Sequence, residues 1–104
     1  MQWNVGDRVL ANWTHDEYWY PATIRTIEGD RLYVRFDDGD KEWLASDRLM
    51  HIDIEVGDRV HSRWNGGPYY YPGRIARKDG EKIHVHYDDG DKERTTISLV
   101  RVTR

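Results

Sequence analysis

The sequence predicts an all-β protein made of two small five-stranded barrels in tandem, packed closely together. Three observations lead there: an internal repeat, an apolar period of two, and glycine-centred turns at matching places in both copies. The repeat comes first, because self-similarity over most of a chain defines its units before any strand is assigned. Val5-Gly6-Asp7-Arg8-Val9 recurs as Val56-Gly57-Asp58-Arg59-Val60, an offset of 51 positions. The same offset carries Trp13 to Trp64, Tyr18 to Tyr69, Tyr20-Pro21 to Tyr71-Pro72, Ile24 to Ile75 and Gly29 to Gly80. It ends on six consecutive identities, Asp37-Asp38-Gly39-Asp40-Lys41-Glu42 against Asp88-Asp89-Gly90-Asp91-Lys92-Glu93. Two units follow, residues 1–52 and 53–104, each near the lower end of domain size.

Within a unit the elements follow in order. Val9, Ala11 and Trp13 alternate with Arg8, Leu10 and Asn12, which reads as a half-buried first strand. Tyr20-Pro21 opens the second strand, and Glu28-Gly29-Asp30 turns it into a hairpin. Leu32, Val34 and Phe36 alternate with Arg31, Tyr33 and Arg35; the second copy repeats this as Ile83, Val85 and Tyr87 against Lys82, His84 and His86. Asp38-Gly39 and Asp89-Gly90 mark a tighter turn, where glycine tolerates positive φ. Ala45-Ser46-Asp47-Arg48 has room for one helical turn, and no segment sustains a period of 3.6. Five short antiparallel strands in some fifty residues close most economically as a strongly bent barrel. The connector His51-Ile52-Asp53-Ile54-Glu55 holds no Gly, Pro or Ser and is partly apolar, so it is expected to pack and to bring the units into contact.

Composition narrows the function. The 104 residues are 38% hydrophobic and 34% charged, yet 5 Trp, 7 Tyr and 1 Phe supply the large burying side chains that disordered chains lack. No apolar run spans a bilayer, and Asp7 and Arg8 stand where a secretory leader would be apolar. The expected location is therefore intracellular: nuclear in a eukaryote, cytoplasmic in a bacterium. Without cysteine there is no disulfide framework and no thiolate zinc site. The net charge of −3 is split unevenly, residues 1–52 carrying six Lys or Arg against ten Asp or Glu and residues 53–104 ten against nine. Tyr18 and Tyr20 share one strand parity and Trp19 the other, so at least one of these faces is expected to be exposed or shared between the units.

The ordered set Val-Gly-Asp-Arg-Val, Trp, Tyr-x-Tyr-Pro, apolar strand and Phe/Tyr-Asp-Asp-Gly-Asp resembles the Tudor domain of the Tudor/Agenet group of SH3-like barrels, over nearly the whole chain and twice. The resemblance implies a non-enzymatic tandem reader of methylated lysine, or arginine, in a basic peptide such as a histone tail. A methylated ammonium keeps its charge but loses hydrogen-bond donors, so aromatic faces replace its water at roughly 0.5 to 2 kcal/mol per ring. By the resemblance the first cage is Trp13, Tyr20, Phe36 and Asp38, with Asp40 where some readers carry another aromatic; the second is Trp64, Tyr71, Tyr87, Asp89 and Asp91. Asp16 and Glu17 add an acidic rim to the first unit. In the second, His15-Asp16-Glu17 becomes Gly66-Gly67-Pro68 and Trp43 becomes Arg94, so a cationic peptide should prefer the first.

Other readings stand beside this one. Aromatics at strand ends also plug small barrels, which leaves a structural or protein-interaction module without a methyl ligand. Arg63, Arg74, Arg77 and Arg94 offer anion contacts, for DNA or RNA, on the more basic second unit. His84-Val85-His86 puts two imidazoles on one strand face but has no evident third ligand, and the Asp-rich turn lacks the ligand spacing of a calcium loop. No nucleophile motif or phosphate loop appears. The expectation is no catalysis, no metal, no cofactor and no membrane partner, in a monomer or a part of a larger protein.

Overall fold

The structure is a computed structural model that describes residues 3–13 and 16–103. The chain divides between Ile52 and Asp53 into two compact units. Unit 1 holds β1 (Arg8–Ala11), β2 (Tyr18–Glu28), β3 (Arg31–Phe36), β4 (Lys41–Ala45) and β5 (Leu49–His51). β2, β3 and β4 form consecutive hairpins while β1 pairs both β2 and β5, giving the antiparallel order β5-β1-β2-β3-β4. Unit 2 repeats it with β6 (Arg59–Arg63), β7 (Tyr70–Asp79), β8 (Lys82–Tyr87), β9 (Lys92–Thr96) and β10 (Val100–Thr103), in the order β10-β6-β7-β8-β9. The return of the last strand to the first is the SH3-like arrangement.

The Val-Gly-Asp words are turn makers. Gly6 adopts φ 93°, and Asp7 Oδ2 accepts the Asn4 amide at 2.9 Å while the Gly6 amide donates to Ile24 O at 2.8 Å. Asp58, Glu55, Gly57 and Ile75 repeat the pattern at 2.9 and 2.8 Å. The turn thus anchors the segment before the first strand to the middle of the second. There β2 and β7 each carry a register shift, between Ile24 and Thr26 and between Ile75 and Arg77. Such a bulge bends a long strand enough to serve two partners.

Apolar parity fills the core as expected: Val9, Ala11, Ala22, Ile24, Leu32, Val34, Phe36, Leu44 and Leu49 form one buried cluster in unit 1. Val60, Ile75, Ile83, Val85, Tyr87, Ile97 and Val100 are buried in unit 2. One expectation changes. Leu10 and Asn12, assigned to the open side of β1, are buried at 2% and 6% exposure. Leu10 lies between Pro21 and Met50 across the neighbouring strands, an apolar row on that face, and the Asn12 amide is satisfied by carbonyls. Tyr18, Trp19 and Tyr20 are all half-buried; the exposed rings are Trp13, Trp64, Tyr69 and Tyr71. A 3-10 turn occupies Ser46–Arg48, its copy lies at Ile97–Leu99, and a third, Trp64–Gly66, forms where the sequence suggests only a loop. Among the described residues no helix is long and apolar enough to cross a membrane, and no three His, Asp or Glu side chains cluster to hold a metal ion.

Candidate functional site

Register brings the predicted residues of unit 1 to one end of the unit. Ala11 pairs with Tyr20 and Ala22 with Phe36, so Tyr20 and Phe36 share the inward face, and Trp13 follows β1 on the same parity. The Trp13 and Phe36 ring centroids are 5.7 Å apart with planes tilted by 36°. Phe36 is buried, Tyr20 packs against the core cluster that includes it, and Trp13 remains 37% exposed. The result is an aromatic wall with one open face.

The acidic run divides its work. Asp37 points to the outer side and chelates Arg8 with contacts of 2.6 and 2.7 Å. Asp38 Oδ1 accepts the Asp40 amide at 3.0 Å, an Asx turn closed by Gly39 at φ 101°. Asp38 and Asp40 are exposed in the loop that directly follows Phe36. Asp16 and Glu17 are exposed too, but Asp16 also builds its own loop, accepting the Tyr18 amide at 2.8 Å; His15 lies outside the described residues.

Three residues absent from the sequence-based site hold it in place. The half-buried Arg48 guanidinium donates to Trp13 O at 2.6 Å and to Asn12 O, while the Asn12 amide donates to Asp16 O and Tyr18 O at 2.7 and 2.9 Å. The backbone that carries Trp13 is thereby tied to the 3-10 turn before β5. In unit 2 the offset exchanges the pair: Asn12 becomes Arg63 and Arg48 becomes Leu99. Arg63 then braces the corresponding loop itself, through Gly67 O at 2.7 Å and Gly66 O at 3.2 Å. That reciprocal exchange is the signal by which the brace could have been found. Arg63 is thus a structural brace, set apart from the other predicted anion contacts. Arg74 on β7, Arg77 on β7 and Arg94 on β9 are exposed on the outer face.

The third is Glu93, and it makes the second cage a different object. Tyr87, 5% exposed, donates its hydroxyl to Glu93 Oε2 at 2.5 Å, and the same carboxylate accepts the Asn65 amide at 3.0 and 3.2 Å. Burial, then the Glu93 hydrogen bond, pushes the Tyr87 phenol well above its ordinary value. Trp64 and Tyr71 are 45% and 47% exposed. Among the described residues no ring pair like Trp13 with Phe36 joins Trp64 to Tyr87. Asp89 and Asp91 copy the unit 1 turn, with Asp89 Oδ1 accepting the Asp91 amide at 3.0 Å. The unit 1 counterpart of Glu93 is Glu42, opposite Val34 as Glu93 is opposite Val85. Phe36 has no hydroxyl to offer Glu42, which among the described residues accepts its neighbour's amide, Trp43 N, at 3.2 Å.

The family model for the Tudor domain of the DNA repair protein Crb2 matches residues 5–49. Among solved structures, the crystal structure of the Crb2 tandem Tudor domains is similar over 99% of this chain and 82% of that one, with a TM-score of 0.66 at 17% identity. The AGDP1 AGD34 structure from Arabidopsis thaliana covers 94% of this chain and 80% of its own at 18% identity, with a TM-score of 0.41. The tandem Agenet domain 3-4 of ADCP1 gives 94%, 78%, 18% and 0.42. No curated protein matches the chain at a significant level. Repeat, strand order and family match agree: the chain has the tandem Tudor fold.

Proposed function

We propose that the chain is a non-catalytic binding module of chromatin type whose first unit reads a methylated lysine, or arginine, in a basic peptide such as a histone tail. The observation that carries this reading is the Trp13–Phe36 pair, tilted at 5.7 Å with Trp13 open on one side and the exposed Asp38–Asp40 loop next to Phe36. Tilted rings offer π faces to a cation, and the adjacent carboxylates complement a charge that methylation does not remove. Glu42 adds a half-buried carboxylate on the inner face of β4. Unit 2 is the weaker candidate, since its inner acid is already saturated by Tyr87 and Asn65. The likeness to the Crb2 tandem Tudor domains supports a binding rather than a catalytic role.

Calorimetry with a trimethyl-lysine peptide and its unmodified twin tests the reading. Removing one cage ring should cost about 1–2 kcal/mol, so Trp13→Ala is expected to weaken the methylated peptide roughly ten-fold while Trp64→Ala changes it little. Equal binding of both peptides by the wild type would refute it.

A further inference from the structure

The outer face of β7, β8 and β9 carries rows of cations that neither the fold nor the cage requires. Cross-strand register sets Arg74, His86 and Lys92 side by side in one row and Arg77, His84 and Arg94 in the next. Lys82 continues the face, and a shallow groove of about 510 Å³ runs along the second row between Arg77, Lys82, His84 and Arg94. Among the described residues the ion pairs involve none of Arg77, Lys92 and Arg94, and Arg74 lies in the field of the Asp88 carboxylate. The nearby acids are otherwise engaged or marginal: Asp88 chelates Arg59 at 2.6 and 2.7 Å, Glu55 reaches Lys78 at 3.6 Å, and Asp79 sits at the hairpin end of the groove.

Like charges directly opposite on neighbouring strands destabilise a sheet. Unit 1 carries one such pair in its first row, Arg35 opposite Lys41, and none in its second. At the positions of Arg74, Arg77, His84 and Arg94 it has Thr23, Thr26, Tyr33 and Trp43, the last two stacked as a cross-strand pair at 5.0 Å. Arg25 and Arg35 run the other way, becoming Ala76 and His86, but four of these face positions gained basic groups in the second copy. The second row is basic in unit 2 alone, and that gained charge points to an anionic partner.

We propose that the outer β7–β9 face of unit 2 binds the phosphate backbone of double-stranded nucleic acid. With strands about 4.8 Å apart and alternate residues about 7 Å apart, the two rows span roughly 10 by 7 Å, room for two or three phosphates. The rows hold no Phe, Tyr or Trp on which unpaired bases could stack, and no apolar side chain that would enter a bilayer interface. Contacts of this kind position a duplex without reading its sequence.

The test is fluorescence anisotropy of a labelled duplex of mixed sequence. With about three phosphates neutralised, affinity should fall roughly 40-fold between about 50 and about 200 mM salt. Arg77→Glu with Arg94→Glu should weaken binding at least ten-fold while the unfolding midpoint and the peptide response stay unchanged, and Arg25→Glu with Arg35→Glu on unit 1 should leave duplex binding intact. Should the charge reversals unfold unit 2, Arg77→Gln and Arg94→Gln should each flatten the salt slope by about one. The proposal is overturned by salt-insensitive binding, by loss only in the unit 1 variant, or by equal affinity at matched salt for single-stranded DNA, a phosphorylated peptide or phosphatidylserine vesicles.

Discussion

Tyr87 and Phe36 occupy the same place in two copies of one fold, and one hydroxyl separates their behaviour. The Tyr87 hydroxyl recruits Glu93, and Glu93 in turn holds the Asn65 amide behind Trp64. The phenol keeps its proton more tightly when folded than when unfolded, where tyrosine titrates near 10. Its contribution to stability is therefore complete below pH 10 and is lost as pH rises beyond that. Urea unfolding at about pH 8 and about pH 11 should show a larger loss in the wild type than in Tyr87→Phe, with a neutral-pH cost for the variant of about 1 kcal/mol. An identical alkaline loss in both would remove the clamp from the account. Asp88 runs in the opposite sense: the hydrogen bonds from Arg59 hold its carboxyl below 3.8, so that pair's support is present at neutral pH and lost in acid. Being fully exposed, it is worth little. Arg48→Leu, which imports the residue of unit 2 without the compensating Arg63, should lower stability by about 1–3 kcal/mol, because Asn12 O and Trp13 O lose a charged donor. Thermal melting reads this directly, and an unchanged midpoint would mean the brace is incidental.

At the scale of elements, much was legible because each signal occurred twice. The parity of Leu32, Val34 and Phe36 and the Gly29 and Gly39 turns define β3 and its two hairpins, and the chain follows them. The resemblance put Trp13 and Phe36 in one cage, and their rings lie 5.7 Å apart. What escaped depends on contacts distant in sequence. Leu10 reads as an open-face residue until β5 returns to lay Met50 beside it. Glu93 reads as a solvated strand residue until Tyr87 and the turn at Trp64 converge on it. The 3-10 turn at Trp64 needs Asn65 at φ 55°, a conformation that the Gly-Gly-Pro motif does not announce. Gly73 marks another tight approach: a Cβ there would meet His86 O at 2.8 Å and Tyr87 Cα at 3.1 Å, whereas Ala22 fits the equivalent place in unit 1. Gly73→Ala is expected to destabilise unit 2 by about 1–3 kcal/mol, measured by urea unfolding, and a neutral result would show that β7 and β8 separate freely.

At the scale of the whole molecule, duplication supplied two copies of one scaffold, and the copies diverged in charge on different surfaces. Unit 1 kept an open aromatic pair beside exposed carboxylates; unit 2 engaged its inner acid with Tyr87 and Asn65 and gathered cations on its outer sheet. Neither change touches the strand order, so the fold alone does not distinguish the units. The proposed functions give a methylated cation to the first and a polyanion to the second. The most direct test is tryptophan fluorescence of the intact chain titrated with the trimethyl-lysine peptide and its unmodified twin, in the wild type and in Trp13→Ala. The account predicts a saturable change with the methylated peptide alone, weakened roughly ten-fold by Trp13→Ala in a protein that remains folded. An unchanged response in Trp13→Ala, or the same response to both peptides, would contradict it.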